Sequence, residues 1–153
     1  MTDQKIRTCL WFDGNAEEAA EFYVSVFKDS GITGITPGPT GAALVVAFQL
    51  AGTEFLALNA GPEFQFNEAV SLSVDCGSQE EVDELWEKLS AGGSRGQCGW
   101  LKDRYGLSWQ IVPAILPKLL ADADRGRAQR VMDALMGMTK LDIPALEAAA
   151  DAA

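Results

Sequence analysis

The sequence predicts an α+β fold made of tandem βαβββ modules, followed by a helical C-terminal tail. Its main support is an internal repeat, in which residues 14–26 align with residues 77–89 at a constant offset of 63 positions, 77 minus 14. The turn glycine, the cap residue, three glutamates and the apolar stripe coincide in these segments. A second, shorter repeat relates residues 52–58 to residues 106–112, which share a leading glycine, an aromatic residue and an aliphatic run. Such self-similarity indicates two copies of one structural unit.

The first module, residues 5–60, begins with a strand predicted over residues 6–12. Asn15 followed by Glu18 has the pattern of a capping box, so a helix is expected from there to about Phe27. Apolar residues at i, i+3, i+4 and i+7 give this helix one buried face. The remaining strands are predicted over residues 32–36, 43–50 and 53–59. The last two form a hairpin around Ala51 and Gly52.

The second module, residues 68–114, repeats this order. A strand over residues 69–75 precedes Ser78 and Glu81, which form a second capping box for a helix ending near Ala91. The glycine-rich residues 92–96 are predicted to be the most flexible stretch. Two further strands are predicted over residues 97–102 and 107–112.

Both modules are expected to form one domain over residues 1–115, and residues 116–153 a helical tail that packs on the domain or on a dimer partner. Helices are predicted from Pro117 to about Ala121, from Asp124 to Met138, and again after Asp142. The longest has an apolar stripe made of Ala128, Val131, Met132, Leu135 and Met138. A stripe at helical spacing predicts packing against the chain's own domain or a twin subunit.

Composition narrows the possible partners. A formal charge of −10 disfavours nucleic acid and anionic membrane surfaces, which carry the same sign. No apolar run is long enough to span a bilayer, and the N-terminal residues do not resemble a secretion signal, so we expect a cytoplasmic protein. Three cysteines without Cys-x-x-Cys spacing are typical of reduced thiols.

Several phrases of the sequence resemble the PhnB-like branch of the vicinal oxygen chelate superfamily, which includes glyoxalase I, extradiol dioxygenases and antibiotic-resistance proteins. The resemblance is carried by residues 9–12, 19–23, 58–62, 64–69, 96–103 and 129–132. This branch often bears the label 3-demethylubiquinone-9 3-methyltransferase. The resemblance implies a pair of glyoxalase-like half-barrels that enclose a cavity, and a homodimer in which modules pack in cis or swap between subunits.

The resemblance also implies where metal ligands would lie, on the first and last strands of each module. Carried over to this sequence, these positions are Thr8, Leu56, Ser71 and Gln110. A divalent ion prefers imidazole or carboxylate donors, whereas this set offers two hydroxyls, an amide and a methyl group. We therefore expect no bound metal and no cofactor.

Strand alternation extends these positions to a predicted cavity lining, because every second side chain faces the same way. The inward set is Thr8, Leu10, Phe12, Glu54, Leu56, Leu58, Ser71, Ser73, Asp75, Ser108, Gln110 and Val112. The set expected under the helices is Cys9, Trp11, Phe55, Leu72, Val74, Trp109 and Ile111. The candidate ligand-binding residues are Thr8, Leu10, Phe12, Leu56, Leu58, Ser71, Ser73, Trp100 and Gln110.

Simpler explanations remain open for these side chains. The hydroxyls of the inward set can bond one another or water, and Gln110 needs some compensating hydrogen bond if buried. Glu54 and Asp75 can be solvated carboxylates or acid–base groups. Cys98 would be reactive only beside a cation such as Lys102 or Arg95. Trp11 and Trp100 can be core anchors or stacking surfaces.

Three functions are consistent with this pattern. The first is a metal-free protein that binds a small hydrophobic or aromatic molecule. The second is an enzyme, either a methyltransferase as the family label suggests or a metal-free isomerase or lyase. Residues 92–96 follow a helix rather than a strand, which is not the usual signature of an S-adenosylmethionine loop. The third is a subunit that acts mainly through association of its tail.

Overall fold

A computed structural model describes residues 4–152. The first unit contains β1 (Thr8–Phe12), α1 (Ala16–Val26), β2 (Gly31–Pro37), β3 (Ala43–Leu50) and β4 (Thr53–Asn59). The second contains β5 (Ser71–Cys76), α2 (Gln79–Ser90), β6 (Ser94–Arg95), β7 (Trp100–Lys102), β8 (Ser108–Pro113), α3 (Leu116–Leu120), α4 (Arg125–Met136) and α5 (Ile143–Asp151). The division between the units lies between Phe66 and Asn67. The α+β class with one repeated βαβββ order is confirmed.

In the first unit the strands form one sheet in the order β1-β4-β3-β2, with β1 parallel to β4 and the other pairs antiparallel. The helix α1 covers one face of this sheet. Its Tyr23 ring stacks on Phe48 of β3 at 6.2 Å, and Phe48 stacks on Phe55 of β4 at 5.4 Å. These rings are almost fully buried, so this face is the hydrophobic core of the unit.

The N-terminus of α1 is not capped as the sequence predicts. Asn15 makes no side-chain cap hydrogen bond. Instead, Asn59 at the end of β4 accepts a hydrogen bond from the Ala16 amide through Oδ1 at 2.9 Å, and its Nδ2 donates to the Ala43 carbonyl at 2.9 Å. One side chain therefore joins the start of the helix to two strands.

In the second unit the sheet has the order β5-β8-β7-β6, again with one parallel outer pair. The helix α2 covers the face that carries Leu101, Trp109 and Ile111, all buried. The predicted capping box is confirmed: Ser78 Oγ accepts from the Glu81 amide at 3.1 Å, while Glu81 Oε1 accepts from the Gly77 amide at 2.8 Å.

Residues 92–96, expected to be flexible, contain the short strand β6, which pairs with β7. Gly93 explains why the chain can lie so close to β7. A Cβ atom there would overlap the carbonyl oxygen of Lys102 and crowd the backbone of Asp103. The glycines of this segment thus permit strand packing rather than a mobile loop.

The helical tail packs on the second unit. Leu116, Val131, Leu135, Leu141 and Leu146 form a buried cluster, and Cys98 packs against it. Backbone hydrogen bonds join residues 98–99 to residues 138–139 at 2.8 Å each, and Gln79 bonds the backbone at positions 141 and 143. Ala128, Val131 and Leu135 form the buried side of α4 as expected, whereas Met132 is 38% exposed. Met138, also expected on this stripe, lies beyond the end of the helix at Met136 and packs against the cluster.

Candidate ligand-binding site

The face of the second sheet opposite α2 carries most of its polar side chains. Register pairs Ser71 with Ser108 and Ser73 with Gln110, and β7 places Trp100 beside Gln110 and Lys102 beside Ser108. Paired residues point to the same side of a sheet. We call this surface the open face, defined as Ser71, Ser73, Trp100, Lys102, Ser108 and Gln110. The predicted alternation of β5 and β8 agrees with this register.

Gln110 lies at the centre of the open face on an inner strand, between β5 and β7. Its Nε2 donates a hydrogen bond to Ser71 Oγ at 2.9 Å, which supplies the compensating bond that a part-buried amide needs. Within residues 4–152, its Oε1 accepts no hydrogen bond. Ser73 is exposed, and the Trp100 side chain is partly exposed. The face therefore offers one free acceptor, hydroxyl groups and an aromatic surface.

A pocket of about 140 Å³ opens at the end of this face where β8 begins. It is lined by Glu68, Ser94, Gly96, Trp100, Leu101, Lys102 and Ser108. Ser108 is only 1% exposed, and its Oγ has no hydrogen-bond partner in the part of the chain that the structure describes. Buried polar groups normally have a partner. The Ser108 hydroxyl is thus an unsatisfied polar group at the pocket.

The rim of the pocket carries opposite charges. Lys102 Nζ forms an ion pair with the Glu68 carboxylate, whose side chain is 62% exposed. The hydrogen bond from Lys102 lowers the pKa of Glu68, and the positive charge acts in the same direction. Glu68 belongs to the segment before β5, where Asn67 Oδ1 accepts from the Ala69 amide at 2.9 Å. A short turn therefore presents this carboxylate to the lysine.

Asp103 fixes the turn that joins β7 to β8. Its Oδ1 accepts from the amides of Tyr105 and Leu107 at 2.8 and 3.1 Å, and its Oδ2 accepts from the Trp109 indole nitrogen at 2.9 Å. The residue is 2% exposed. This carboxylate holds Lys102 and Ser108 on adjacent strands. We did not predict this role from the sequence, although an aspartate opening the turn before Gly106 is the signal that could have indicated it.

In the first unit, the predicted orientation of β1 is wrong: its residues expected to face the cavity do not lie on the same side of the sheet as Leu56 and Leu58. Register pairs Thr8 with Phe55, Leu10 with Ala57 and Phe12 with Asn59, so these β1 residues lie on the face covered by α1. Leu10 and Phe12 are each 3% exposed and belong to the core.

The opposite face of the first sheet carries Leu56 and Leu58, with Cys9 and Trp11 as their neighbours on β1. Both leucines are half-buried. Trp11, expected under the helix, instead packs edge-on against Phe64 at 4.8 Å, and its indole nitrogen donates to the Gly61 carbonyl at 2.9 Å. Trp11 is therefore an anchor for the segment after β4.

The cause of the error is one additional residue in the turn between β1 and α1. The first residues of the helices, Ala16 and Gln79, differ by 63 positions (79 minus 16), but the last residues of the strands, Phe12 and Cys76, differ by 64 (76 minus 12). Phe12 and Cys76 are equivalent because the carbonyl of each accepts from the residue just beyond the closing strand, Ala60 and Ala114 respectively. An alignment based on the helices is thus displaced by one residue on β1, which exchanges the faces of that strand.

The cations suggested for Cys98 are engaged elsewhere. Arg95 pairs with Glu87 at 2.8 Å, and Lys102 pairs with Glu68. Cys98 Sγ lies 3.6 Å from the Leu135 carbonyl and 3.8 Å from Met136 Sδ. Its thiol therefore faces α4 rather than a cationic side chain.

The donors at the four metal positions do not fit a divalent ion. Ser71 and Gln110 are bonded to each other, and Leu56 has no donor atom. With the offset of 64 found for β1, the counterpart of Ser71 is Arg7 (71 minus 64) rather than Thr8, and a guanidinium is no metal ligand. Within residues 4–152, no three His, Cys, Asp or Glu side chains are grouped so that they could hold a metal ion. The residues present thus lack the imidazole and carboxylate donors that such an ion requires.

A repeated module with one helix over a four-stranded sheet and a parallel outer pair defines a glyoxalase-like fold. The chain belongs to the family described as 3-demethylubiquinone-9 3-methyltransferase, which matches residues 4–112. No curated protein matches the chain.

Solved structures of similar fold come from several bacteria. A PhnB protein from Bacillus cereus, which carries a provisional 3-demethylubiquinone-9 3-methyltransferase name, is 36% identical; the match covers 72% of this chain and 100% of that one, with a TM-score of 0.68. The fosfomycin resistance protein FosX from Listeria monocytogenes, complexed with Mn(II) and sulfate, is 18% identical over 71% of this chain and 90% of its own, with a TM-score of 0.50. A glyoxylase/bleomycin resistance protein/dioxygenase domain from Frankia sp. EAN1pec is 17% identical over 71% and 90%, with a TM-score of 0.51.

Proposed function

We propose that this protein binds a small organic molecule with an apolar or aromatic body on the open face of the second sheet, without a metal. The observation that carries the proposal is the combination of Gln110, held by Ser71, with the partly exposed Trp100 and the pocket at Ser108. Ligand sites typically combine apolar surface with a few positioned polar groups.

The ligand would use the groups that the protein leaves unpaired. Gln110 Oε1 accepts a hydrogen bond from the ligand, while Ser73 and Ser108 supply hydroxyls. Trp100 provides an aromatic surface beside Gln110. Leu56 and Leu58 remain candidates on the corresponding face of the first sheet, whereas Thr8, Leu10 and Phe12 do not, because their face is covered by α1.

The metal-free part of the proposal rests on donor chemistry. The FosX structure contains Mn(II), whereas the positions at which the resemblance places metal ligands in this chain carry no imidazole and no carboxylate. Elemental analysis of protein purified without chelator tests this part directly. About one transition metal per chain would contradict it.

A thermal-shift screen against metabolites and antibiotics tests binding, because a ligand that binds only the folded state raises the melting temperature. Each compound that stabilises the protein is then titrated into Gln110→Ala and into Gln129→Ala, a matched control at an exposed position of α4. We expect Gln110→Ala to lower affinity by about tenfold, since a positioned hydrogen bond is lost, and the control to leave it unchanged. Equal affinity for both variants would remove Gln110 from the site. S-adenosylmethionine belongs in the screen, because the family description names a methyltransferase.

We also propose that the protein is a homodimer in a reducing, cytoplasmic compartment. Exposed apolar side chains of the second unit, Val70, Met132 and Met136, support an association surface, and Cys9, Cys76 and Cys98 are all free thiols. None of the helices in residues 4–152 has the length and apolar character needed to cross a bilayer. Sedimentation equilibrium gives the mass in solution; the mass of one chain at all concentrations would exclude the dimer.

A further inference from the structure

We propose that the pocket at Ser108 binds the carboxylate of a small aromatic acid, and that the Glu68 carboxylate competes with this group for Lys102 in the unliganded protein. This inference rests on the proposed function, since it assigns a chemical class to the ligand of the same face. It is carried by Ser108, Lys102 and Glu68, which line one pocket of about 140 Å³.

Ser108 indicates what the ligand must supply. Its buried hydroxyl has no partner among residues 4–152, so the protein bears the cost of removing it from water without a compensating bond. Ser108 lines the pocket, so an acceptor oxygen that reaches its buried hydroxyl would receive this O–H. Hydrogen bonds to a charged acceptor are shorter and stronger than those to a neutral one. The hydroxyl can thus be satisfied by any ligand oxygen, and an anionic one forms the stronger bond.

Lys102 supplies the opposite charge next to that hydroxyl. The two residues are direct partners on β7 and β8, and such pairs have Cβ atoms roughly 5 Å apart on the same face. One carboxylate can thus contact both the ammonium and the hydroxyl through its two oxygens. The chain carries a net charge of −10, so a positively charged side chain in this pocket has the opposite sign to the protein as a whole.

Glu68 shows that a carboxylate fits beside this lysine. Its side chain is 62% exposed and forms the ion pair from the edge of the pocket. Exposed ion pairs contribute little to stability, and Glu68 can rotate into water without leaving a buried charge. A ligand carboxylate that also receives the Ser108 hydroxyl would therefore displace it.

The pocket dimensions limit the ligand. Pockets for drug-sized molecules have volumes of about 300–1,000 Å³, whereas this one has about 140 Å³. It accommodates a small acid or the acidic end of a larger molecule. The lining residue Trp100 provides an aromatic surface for the body of the ligand.

Benzoate and benzamide, which have the same shape but differ in charge, test this assignment. Both are titrated into the full-length protein by calorimetry at pH 7 and constant ionic strength. We expect benzoate to bind about tenfold more tightly than benzamide, because only benzoate forms charge-assisted hydrogen bonds. Lys102→Met and Ser108→Ala should each weaken benzoate by about tenfold or more, with circular dichroism confirming that both variants are folded.

Glu68→Gln is the most discriminating variant, because it removes the carboxylate that competes with benzoate for Lys102. Benzoate binding should become about two- to fivefold stronger. The matched control is Glu147→Gln, an exposed position on α5 outside the pocket lining, which makes the same change in net charge. We expect the control to match the wild type. Equal affinities of both variants and the wild type would overturn the role of Glu68.

The outcomes separate this inference from the proposed function. Equal binding of benzoate and benzamide, or binding of benzoate that Lys102→Met does not weaken, would overturn the carboxylate site. If other compounds then still bind in a manner that depends on Gln110, the proposed function stands alone. If benzoate binding depends on Lys102 but no ligand loses affinity in Gln110→Ala, the carboxylate site is supported and the proposed site on the open face is contradicted.

Discussion

Replacing Ser108 by alanine should make the protein more stable. A buried hydroxyl without a partner costs about 1–3 kcal/mol of desolvation free energy, and Ser108 is 1% exposed with no partner within residues 4–152. Alanine removes the oxygen but keeps the Cβ atom, so the space it leaves is small. After allowing for the lost contacts of one atom, we expect the free energy of unfolding to rise by about 1 kcal/mol.

Urea denaturation followed by circular dichroism measures this change as a higher midpoint at constant slope. A rise of about 1 kcal/mol corresponds to roughly 2–4 °C in melting temperature for a chain of this size. Ser71→Ala is the matched comparison on the same face. It should lose about 0.5–1.5 kcal/mol, because Ser71 Oγ accepts the 2.9 Å hydrogen bond from Gln110. Ser73→Ala, at an exposed position, should change little.

Opposite signs for Ser108→Ala and Ser71→Ala are the essential result. If Ser108→Ala destabilises the protein as much as Ser71→Ala does, then the Ser108 hydroxyl is satisfied in the unliganded protein, and the reasoning is refuted. A gain in stability together with weaker benzoate binding would instead mark a residue kept for the ligand at the expense of stability.

Two further predictions concern thiol reactivity and strand packing. Burial raises the pKa of the Cys76 thiol to about 12, so at pH 8 only about one molecule in ten thousand carries the thiolate. A thiol reagent should therefore label the exposed Cys9 in the native protein but label Cys76 only after unfolding. Rapid labelling of Cys76 in the native protein would disprove this. Gly93→Ala should lower the free energy of unfolding by about 3 kcal/mol, because its Cβ would overlap the Lys102 carbonyl. Gly31→Ala, with no atom within 4 Å of the added Cβ, is the control, and equal denaturation midpoints for both variants would show that β6 is not packed as described.

The elements most accurately predicted from the sequence were those with strong local signals. Strands β3 and β4 have the predicted bounds, because their alternating side chains flank a two-residue turn in which Ala51 and Gly52 both adopt positive φ, 48° and 91°. Ser78 and Glu81 cap α2 as expected, since a capping box acts within one helical turn.

Long-range contacts account for what the sequence did not reveal. The helix α1 is capped by Asn59, 43 positions away from Ala16, and no local pattern at Asn15 could indicate this. The charges of the pocket come from Glu68 and Lys102, which lie in different segments. The sequence placed Ser108 on the correct face, but whether its hydroxyl has a partner depends on all the side chains around it.

The unequal turns after β1 and β5 have a consequence for how duplicated proteins diverge. The additional residue between Phe12 and Ala16 leaves β1 facing its helix as β5 does, but it moves every residue of the strand by one position relative to the helix motif. Assigning roles across relatives therefore requires counting loop lengths before superimposing motifs.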